Sequence, residues 1–285
     1  MSEKIAVTIL TYNRLDFLKE IIDAIRNQTL KPDEIIVINN SSTDGTKRWL
    51  DEQNDLFVVT QENTGSSGGQ YTAFKTAYDR GFDWIWTMDD DVVPRPDCLE
   101  KLMENPEPNV IKTPLRITVE GTPFLNDTML YNLSNPLKSI WVEILSEKYL
   151  SSEFIPAVGI TFEGPCFHRS LVEKIGLPEK KFFIYADDGE FFIRANNAGF
   201  NSGILTAAKL DRKLSVPDLT KEFSWKNYYI IRNIIAIDVL HGTPLVRWIR
   251  PWGYLLSWLR RCRSFDNFTT VFKAFRDGYF YKSTN

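Results

Sequence analysis

Residues 84–91 read WIWTMDDD, a run of strand-forming residues that ends abruptly in three consecutive carboxylates. Adjacent Asp side chains repel one another and Asp is a poor strand former, so local stability does not account for the run. Divalent cations such as Mg²⁺ prefer carboxylate oxygens, and open α/β sheets bind ligands just beyond the carboxyl ends of their strands. The stretch therefore predicts a metal site at a sheet edge. The alternative is a solvated acidic turn that caps a helix after Pro96.

Strand and helix patterns alternate on the amino-terminal side of this stretch. Apolar runs predict four strands, at residues 5–10, 34–38, 56–60 and 83–88. Apolar residues at helical spacing predict helices over 15–27 and around 73–78, and residues 62–69 read as a glycine-rich loop. This alternation predicts an α/β fold with a mainly parallel, doubly wound sheet. Beyond residue 105 the pattern is less regular, with only a strand near 109–113 predicted before residue 159.

A second acidic site lies at Asp187 and Asp188. Asp187 has capping-box spacing to Glu190, so it is predicted to be the N-cap of a helix that Gly199 would end. Asp188, beside a phenylalanine-rich strand, could accept a proton from a sugar hydroxyl. The sequence has neither a P-loop motif nor GxGxxG after its first strand, which excludes P-loop and ordinary dinucleotide sites.

Composition describes an ordinary globular protein. The 285 residues, 43% hydrophobic and 25% charged, suffice for one large domain or a domain with an appendage. The net charge of −3 provides no general basic field, so nucleic acid is not an expected partner. We expect a cytoplasmic protein for three reasons. The three cysteines are widely spaced, the sequence shows no signal peptide, and no apolar run approaches the roughly 18 residues that a membrane span needs.

The carboxyl-terminal 70 residues differ in character. Between Asp238 and Asp266 there are five arginines, three tryptophans and no acidic residue. Basic residues beside Trp and Leu on an amphipathic helix are typical of helices in the headgroup region of an anionic membrane. We therefore predict a membrane-associating helical region with these contact residues: Trp248, Trp252, Arg260 and Arg261. The alternative is a helix packed on the catalytic domain or on a partner subunit.

Five motifs together resemble glycosyltransferase family 2. They are VTILTYNR at 7–14, INNSSTDGT at 38–46, ENTGSSGG at 62–69, MDDD at 88–91 and ADDGEF at 186–191. They occur in family order over roughly residues 4–210. The segment from ENTGSSGG to DWIWTMDDD looks most like the galactofuranosyltransferase branch, to which rhamnosyltransferases are close.

The resemblance implies a GT-A (Rossmann-like) fold and an inverting transfer from a nucleotide-diphosphate sugar. It places Mg²⁺ or Mn²⁺ on Asp89 and Asp91, and it makes Asp188 the general base that deprotonates the acceptor. Carried over by motif, the nucleotide and donor residues are Thr11, Asn13, Arg14, Asn39, Asn63, Gly65, Gly68, Gly69 and Asp90. The acceptor residues are Gly164, Asp187 and Trp225.

The chain departs from the family pattern at two positions. Asn39 stands where many relatives have Asp, so it can accept a hydrogen bond from a pyrimidine only without charge. Galactofuranosyl-type relatives also place a metal-binding His some two dozen residues after the catalytic Asp, and this region has none. We predict Asp211 as the substitute ligand, the alternative being that Arg212 and Lys213 hold the diphosphate directly.

The resulting expectation has three regions. Residues 1–105 would bind the nucleotide sugar, residues 106–215 would carry the acceptor-binding and catalytic half, and residues 216–285 would form the helical Trp/Arg-rich region. The enzyme would move galactofuranose from UDP-galactofuranose to a lipid-linked glycan acceptor, at the inner face of a bacterial membrane, for a surface polysaccharide such as O-antigen or capsule. Alternatives are a dTDP-rhamnose-dependent rhamnosyltransferase, a sugar nucleotidyltransferase and a degenerate scaffold subunit. A homo-oligomer is compatible with the sequence.

Overall fold

This computed structural model describes residues 3–215 and 223–284. The centre of the fold is a nine-stranded sheet. The strands are β1 (Ile5–Thr11), β2 (Glu34–Asn39), β3 (Leu56–Thr60), β4 (Trp84–Asp89), β5 (Val92–Pro94), β6 (Val110–Ile117), β7 (Phe154–Pro156), β8 (Cys166–His168) and β9 (Asn201–Arg212). Their order is β3-β2-β1-β4-β8-β6-β9-β5, and β7 also pairs with β9. The α/β fold is confirmed, with a parallel sheet over β3-β2-β1-β4 and a mixed sheet beyond β4.

The inner parallel strands β1, β2 and β4 are buried on both faces, which explains their continuous apolar sequences, whereas the edge strand β3 is only half-buried. Every residue of β1 is buried. In the register of β1, Thr11 pairs with Asn39 and Leu10 pairs with Asp89. The three strands therefore end at the same level, and the residues that follow them meet at one edge of the sheet.

Nine helices flank the sheet or follow it in the described residues. They are α1 (Leu15–Arg26), α2 (Thr46–Asp51), α3 (Gly65–Asp79), α4 (Cys98–Leu102), α5 (Ser170–Ile175), α6 (Asp187–Asn197), α7 (Lys226–His241), α8 (Pro244–Leu259) and α9 (Phe265–Tyr279). Helix α1 buries Leu18, Ile21, Ile22 and Ile25 at helical spacing against the sheet.

The glycine-rich segment is helical, so the predicted loop over residues 65–69 is wrong. Gly65 begins α3 with φ +75°, and Gly69 lies in the same helix. A Cβ atom on Gly65 would overlap the carbonyl oxygen of Phe183, and one on Gly69 would overlap the side chain of Leu10. The glycines therefore allow close helix packing, a tertiary requirement that composition does not distinguish from loop flexibility.

Strand β9 was not predicted, although it has twelve residues. It runs parallel to β6 with a register shift after Pro114, and it also pairs antiparallel with β5 and β7. These partners are distant in sequence, and they stabilise a strand whose own pattern is mixed.

The predicted capping box at the start of α6 does not form. The N-cap position belongs to Ala186, with φ +61° and no side-chain cap, and Asp187 is the first helical residue. Glu190 is bonded instead to Arg194 (2.8 Å) and His241 (3.0 Å). The Glu190 carboxylate is taken up by Arg194, one turn further along α6, and by His241 of α7, so it does not reach back to the N-cap.

Helices α7 to α9 share one apolar cluster that includes Ile231, Ile235, Leu255, Val271 and Phe275. Leu255 of α8 is buried in this cluster, so that side of α8 packs on its neighbouring helices. Among the described residues, none of the helices has both the length and the hydropathy needed to cross a bilayer. The boundaries proposed at 105/106 and 215/216 stay a prediction.

Candidate active site

The loop after β1 is tied to the acidic run by Asp90. This carboxylate accepts hydrogen bonds from the Thr11 hydroxyl (2.7 Å), the Tyr12 backbone N–H (3.4 Å) and the Arg14 guanidinium (3.0 Å). Arg14 also donates to Asp91 at 2.8 Å. Asp90 is 3% exposed, and its carboxylate ties the loop after β1 to the acidic run.

A third carboxylate joins Asp89 and Asp91, and it comes from a distant part of the chain. Oxygens of Asp89, Asp91 and Glu163 all lie within 4.8 Å of one another. The antiparallel register pairs Trp86 of β4 with Cys166 of β8, and Asp89 and Glu163 each lie three residues beyond that pair. The strand pairing therefore brings the two carboxylates to the same edge.

Glu163 is oriented by two arginines. Arg116, which is 3% exposed, donates to Glu163 at 2.8 Å and also pairs with the buried Asp127. Arg212 lies 3.2 Å from the other Glu163 oxygen. The sequence offered no signal for Glu163, because a lone Glu before Gly-Pro is unremarkable until β8 pairs with β4.

Asp211 does not join this group, so its predicted role as the substitute metal ligand is wrong. Successive residues of a strand point to opposite faces. In β9, Arg212 reaches Glu163 on one face, whereas Asp211 pairs with Arg95 at 3.0 Å on the other. Glu163 occupies the place that we had predicted for Asp211.

The three adjacent Asp side chains are buried, and the positive charge near them does not offset the effect of burial on their pKa values. Burial raises the pKa of Asp89 well above the ordinary value, with repulsion from Asp91 adding to the effect. Burial also raises the pKa of Asp91, even though Arg14 opposes the rise. For Asp90 burial outweighs the Arg14 ion pair, and its pKa rises to about 6. Closely spaced, electrostatically unsatisfied carboxylates are the ligands that a hard divalent cation prefers, so these residues fit such an ion.

Asp188 is a separate buried carboxylate in the first turn of α6. Burial, together with repulsion from the neighbouring Asp187, raises its pKa to about 7. Its Oδ1 accepts the N–H of Gly189 at 2.7 Å. The Oδ2 atom of Asp187 is buried without a hydrogen-bond partner among the described residues. A pKa near neutrality suits a general base.

A cavity of about 670 Å³ connects the two acidic groups. The predicted site residues that line it are Arg14, Asn63, Gly65, Asp89, Asp90, Asp91, Asp187, Asp188 and Trp225. Lining residues that the sequence did not single out include Glu163, Phe183, Tyr185 and Lys226. The cavity is large enough for a small ligand and has carboxylates at two places on its wall.

The remaining predicted residues do not line this cavity. Thr11 is buried under Asp90, and the Asn39 Oδ1 accepts the Ser42 N–H at 3.0 Å. The Asn13 Oδ1 accepts the Thr43 N–H at 2.6 Å. Three predicted glycines also do not line the cavity; they are Gly68 and Gly69 within α3, and Gly164, which packs against Pro114 and Leu210. These residues shape the site and do not line it.

A Rossmann-like sheet, an acidic cluster at the carboxyl ends of its parallel strands and a second buried carboxylate define a GT-A glycosyltransferase. The model of the family "Glycosyl transferase family 2" matches residues 6–149, half of the sequence. The chain belongs to this family and is a glycosyltransferase.

Relatives and solved structures agree with this assignment. Galactofuranosyltransferase GlfT1 of Mycolicibacterium smegmatis is 25% identical over 225 residues, covering 73% of this chain and 71% of the relative. GalNAc-T7 with UDP, GalNAc and Mn²⁺ superposes with a TM-score of 0.66 at 10% identity, over 97% of this chain and 56% of that one. TarS residues 1–349 of S. aureus, in complex with UDP, superposes with a TM-score of 0.57 at 15% identity, over 98% of this chain and 93% of that one. At these identities the structures show the fold alone.

Proposed function

We propose that the protein is a metal-dependent, inverting glycosyltransferase that transfers galactofuranose from UDP-galactofuranose to a glycan acceptor. The observation that carries the proposal is the cavity in which Asp89, Asp91 and Glu163 lie together and Asp188 lies apart. Such a separation suits a displacement in which a donor diphosphate and an acceptor hydroxyl occupy different ends of one site. The choice of sugar rests on the GlfT1 relatives.

The side chains divide the work in this proposal. Asp89, Asp91 and Glu163 would hold Mg²⁺ or Mn²⁺, which supplies positive charge to the departing diphosphate. Asp188 takes the proton of the acceptor hydroxyl as that oxygen attacks the anomeric carbon from the face opposite the nucleotide. Asp187, with its unpartnered oxygen, accepts a hydrogen bond from a sugar hydroxyl. Trp225, 59% exposed at the mouth of the cavity, offers an aromatic face to the acceptor.

A panel of nucleotide sugars tests the donor. With Mn²⁺ present, we expect slow release of UDP from UDP-galactofuranose and none from dTDP-rhamnose, and EDTA should stop the release. Release of dTDP from dTDP-rhamnose alone would identify rhamnose, and not galactofuranose, as the transferred sugar. Pyrophosphate release from a nucleoside triphosphate would identify a nucleotidyltransferase, and the absence of nucleotide binding would identify a non-catalytic scaffold.

We propose that the acceptor is lipid-linked and that α8 and α9 contact the inner face of the cell membrane. Helix α8 exposes a stripe of apolar side chains at helical spacing: Leu245, Trp248, Ile249, Trp252 and Leu256. On α9, Phe268 and Phe272 are exposed on the same face as the buried Phe275, which contacts Trp252 with a ring separation of 4.8 Å. The two stripes therefore adjoin.

Charge favours an anionic lipid surface as the occupant of this face. Residues 239–285 contain eight Lys or Arg and two Asp, although the whole chain carries a net charge of −3. Arg260 and Arg261 are exposed at the end of α8. Exposed aromatic rings flanked by arginines combine apolar burial with attraction to phospholipid headgroups, each basic residue contributing about 1 kcal/mol.

Vesicle binding tests the membrane contact. We expect the full chain to co-sediment with phosphatidylglycerol vesicles and to bind neutral phosphatidylcholine vesicles at least tenfold more weakly. The double variant Trp248→Ser/Phe268→Ser should lose most of the binding, because both side chains are exposed and neither supports the core. Val119→Ser, an exposed apolar control on another loop, should bind normally. If the two variants bind the vesicles equally well, the apolar stripe of α8 and α9 serves contact with protein and not with the membrane.

A further inference from the structure

The turn that leads into Asp188 has an unusual backbone. Phe183 has φ +65° and ψ −57°, and the Ile184 N–H donates to the Phe182 carbonyl at 2.7 Å. These values describe a γ-turn of the rare, strained type. Tyr185 and Ala186 then adopt φ of +67° and +61°. Three non-glycine residues with positive φ in a row of four persist only where the surroundings hold them.

Asn233 of α7 supplies much of this hold. Its Nδ2 lies within hydrogen-bond distance of three carbonyl oxygens of the turn, those of Phe182 (3.0 Å), Ile184 (2.9 Å) and Tyr185 (2.7 Å). Asn233 is fully buried. A single amide group therefore satisfies carbonyls that point inward because the turn is not helical.

Arg232 fixes the orientation of that amide. Its Nε donates to the Asn233 Oδ1 at 2.8 Å, so the Asn233 nitrogen must face the turn. The Arg232 Nη2 also donates to the carbonyls of Lys181 (2.7 Å) and Phe182 (2.8 Å). On the opposite side, the Ser67 N–H of α3 donates to the Phe183 carbonyl at 3.1 Å. The turn is thus held between α3 and α7.

We infer that Asn233 is a positioning residue that sets the location of Asp188 through this turn. Asn233 lies on a helix that follows the family match at residues 6–149, yet it contacts backbone carbonyls three to six residues before Asp188. Helix α7 is therefore part of the catalytic unit and does more than connect it to α8 and α9. The inference rests on the proposed role of Asp188 as general base.

The test uses Asn233→Asp in the full chain. A carboxylate has the same shape but no N–H to donate, so the three carbonyls lose their partner. We expect kcat for transfer to fall about 100-fold, because a displacement of roughly 1 Å at a reacting group costs that much. The KM for the donor and the affinity for UDP with Mn²⁺ should change less than threefold. A purely structural role would lower the yield of folded protein and leave the kcat of the folded fraction unchanged.

Two further variants keep the test decisive. Asn227→Asp changes a buried Asn on the same helix whose Oδ1 accepts the Ser224 N–H, a bond that Asp preserves, so kcat should stay normal. Arg232→Gln alters a partly exposed residue and is suited to the case in which Asn233→Asp does not fold. It should lower kcat about tenfold, and a normal kcat would overturn the inference.

Hydrogen exchange separates this inference from the proposed function. In Asn233→Asp or Arg232→Gln, we expect faster exchange in peptides covering residues 182–190 and unchanged exchange in α9. This readout does not require a donor or an acceptor. Faster exchange with no transfer activity in the unmodified protein would count against the proposed function alone. Unchanged exchange over residues 182–190 would refute the positioning role, whatever the enzyme transfers.

Discussion

Replacing Asp188 by Asn lowers the rate of sugar transfer about 10³-fold while donor binding survives. The amide keeps the shape of the carboxylate but cannot take the acceptor proton, and general-base catalysis contributes roughly 10²- to 10⁴-fold. The measurement is kcat with a glycan acceptor, accompanied by calorimetry of UDP binding in Mn²⁺. Binding should change less than twofold, because Asp188 does not belong to the cluster of Asp89, Asp91 and Glu163.

The pH dependence of transfer provides a second readout of the same residue. The base must be unprotonated, and burial raises the pKa of Asp188 to about 7 in the ligand-free protein. The rate should therefore rise with pH, with about a tenfold difference between pH 6 and the plateau. Bound cation shifts the midpoint downward, because positive charge favours the carboxylate. Asn at this position should abolish the rise, and near-normal turnover there would assign the base to another group.

Replacing Asp89 by Asn should stabilise the cation-free protein and abolish its response to Mn²⁺. Burial and Asp91 raise the pKa of Asp89 above its ordinary value of 3.8. The folded protein therefore binds this proton more tightly than the unfolded chain does. Stability from that difference is present below the unfolded pKa and is lost as pH rises through the folded pKa. Above the ordinary pKa and in EDTA, keeping this carboxyl group buried therefore costs stability, and Asn removes that cost.

Thermal unfolding with and without Mn²⁺ measures both effects. Mn²⁺ at about 100 times its Kd stabilises the unmodified protein by about 2.7 kcal/mol, which raises Tm by roughly 5–10 °C for a chain of this size. In Asp89→Asn, Tm in EDTA should be higher than in the unmodified protein, and the Mn²⁺ shift should disappear. Asp211→Asn is the matched control, because its carboxylate pairs with Arg95 away from the cluster. An unchanged Mn²⁺ shift in Asp89→Asn would remove Asp89 from the ligand set.

Local sequence was sufficient for the nucleotide-binding half. Strands β1, β2 and β4 are buried on both faces, so each is a continuous apolar run that can be recognised without knowledge of its neighbours. Because parallel strands end at one edge, the polar residues after them could be placed near one another, and Asp89, Asp91 and Arg14 do meet there. The spacing of Asp187 and Glu190 predicted that Asp188 lies at the start of a helix, which the structure confirms, although the capping box itself does not form.

Interactions between distant segments decided the rest. Glu163 reaches Asp89 only because β8 pairs antiparallel with β4, and Asp211 turns away from the cluster because successive residues of β9 face opposite sides. Glycines 65–69 are helical because α3 must approach Leu10 and Phe183 closely. Asn233 holds the turn before Asp188 from some 50 residues further along the chain. The sequence by itself therefore determined which groups lie at the sheet edge, since strand ends are local features. Only the tertiary structure decided which carboxylate joins Asp89 and Asp91 and which residue holds the turn before Asp188, because register and packing depend on long-range pairing.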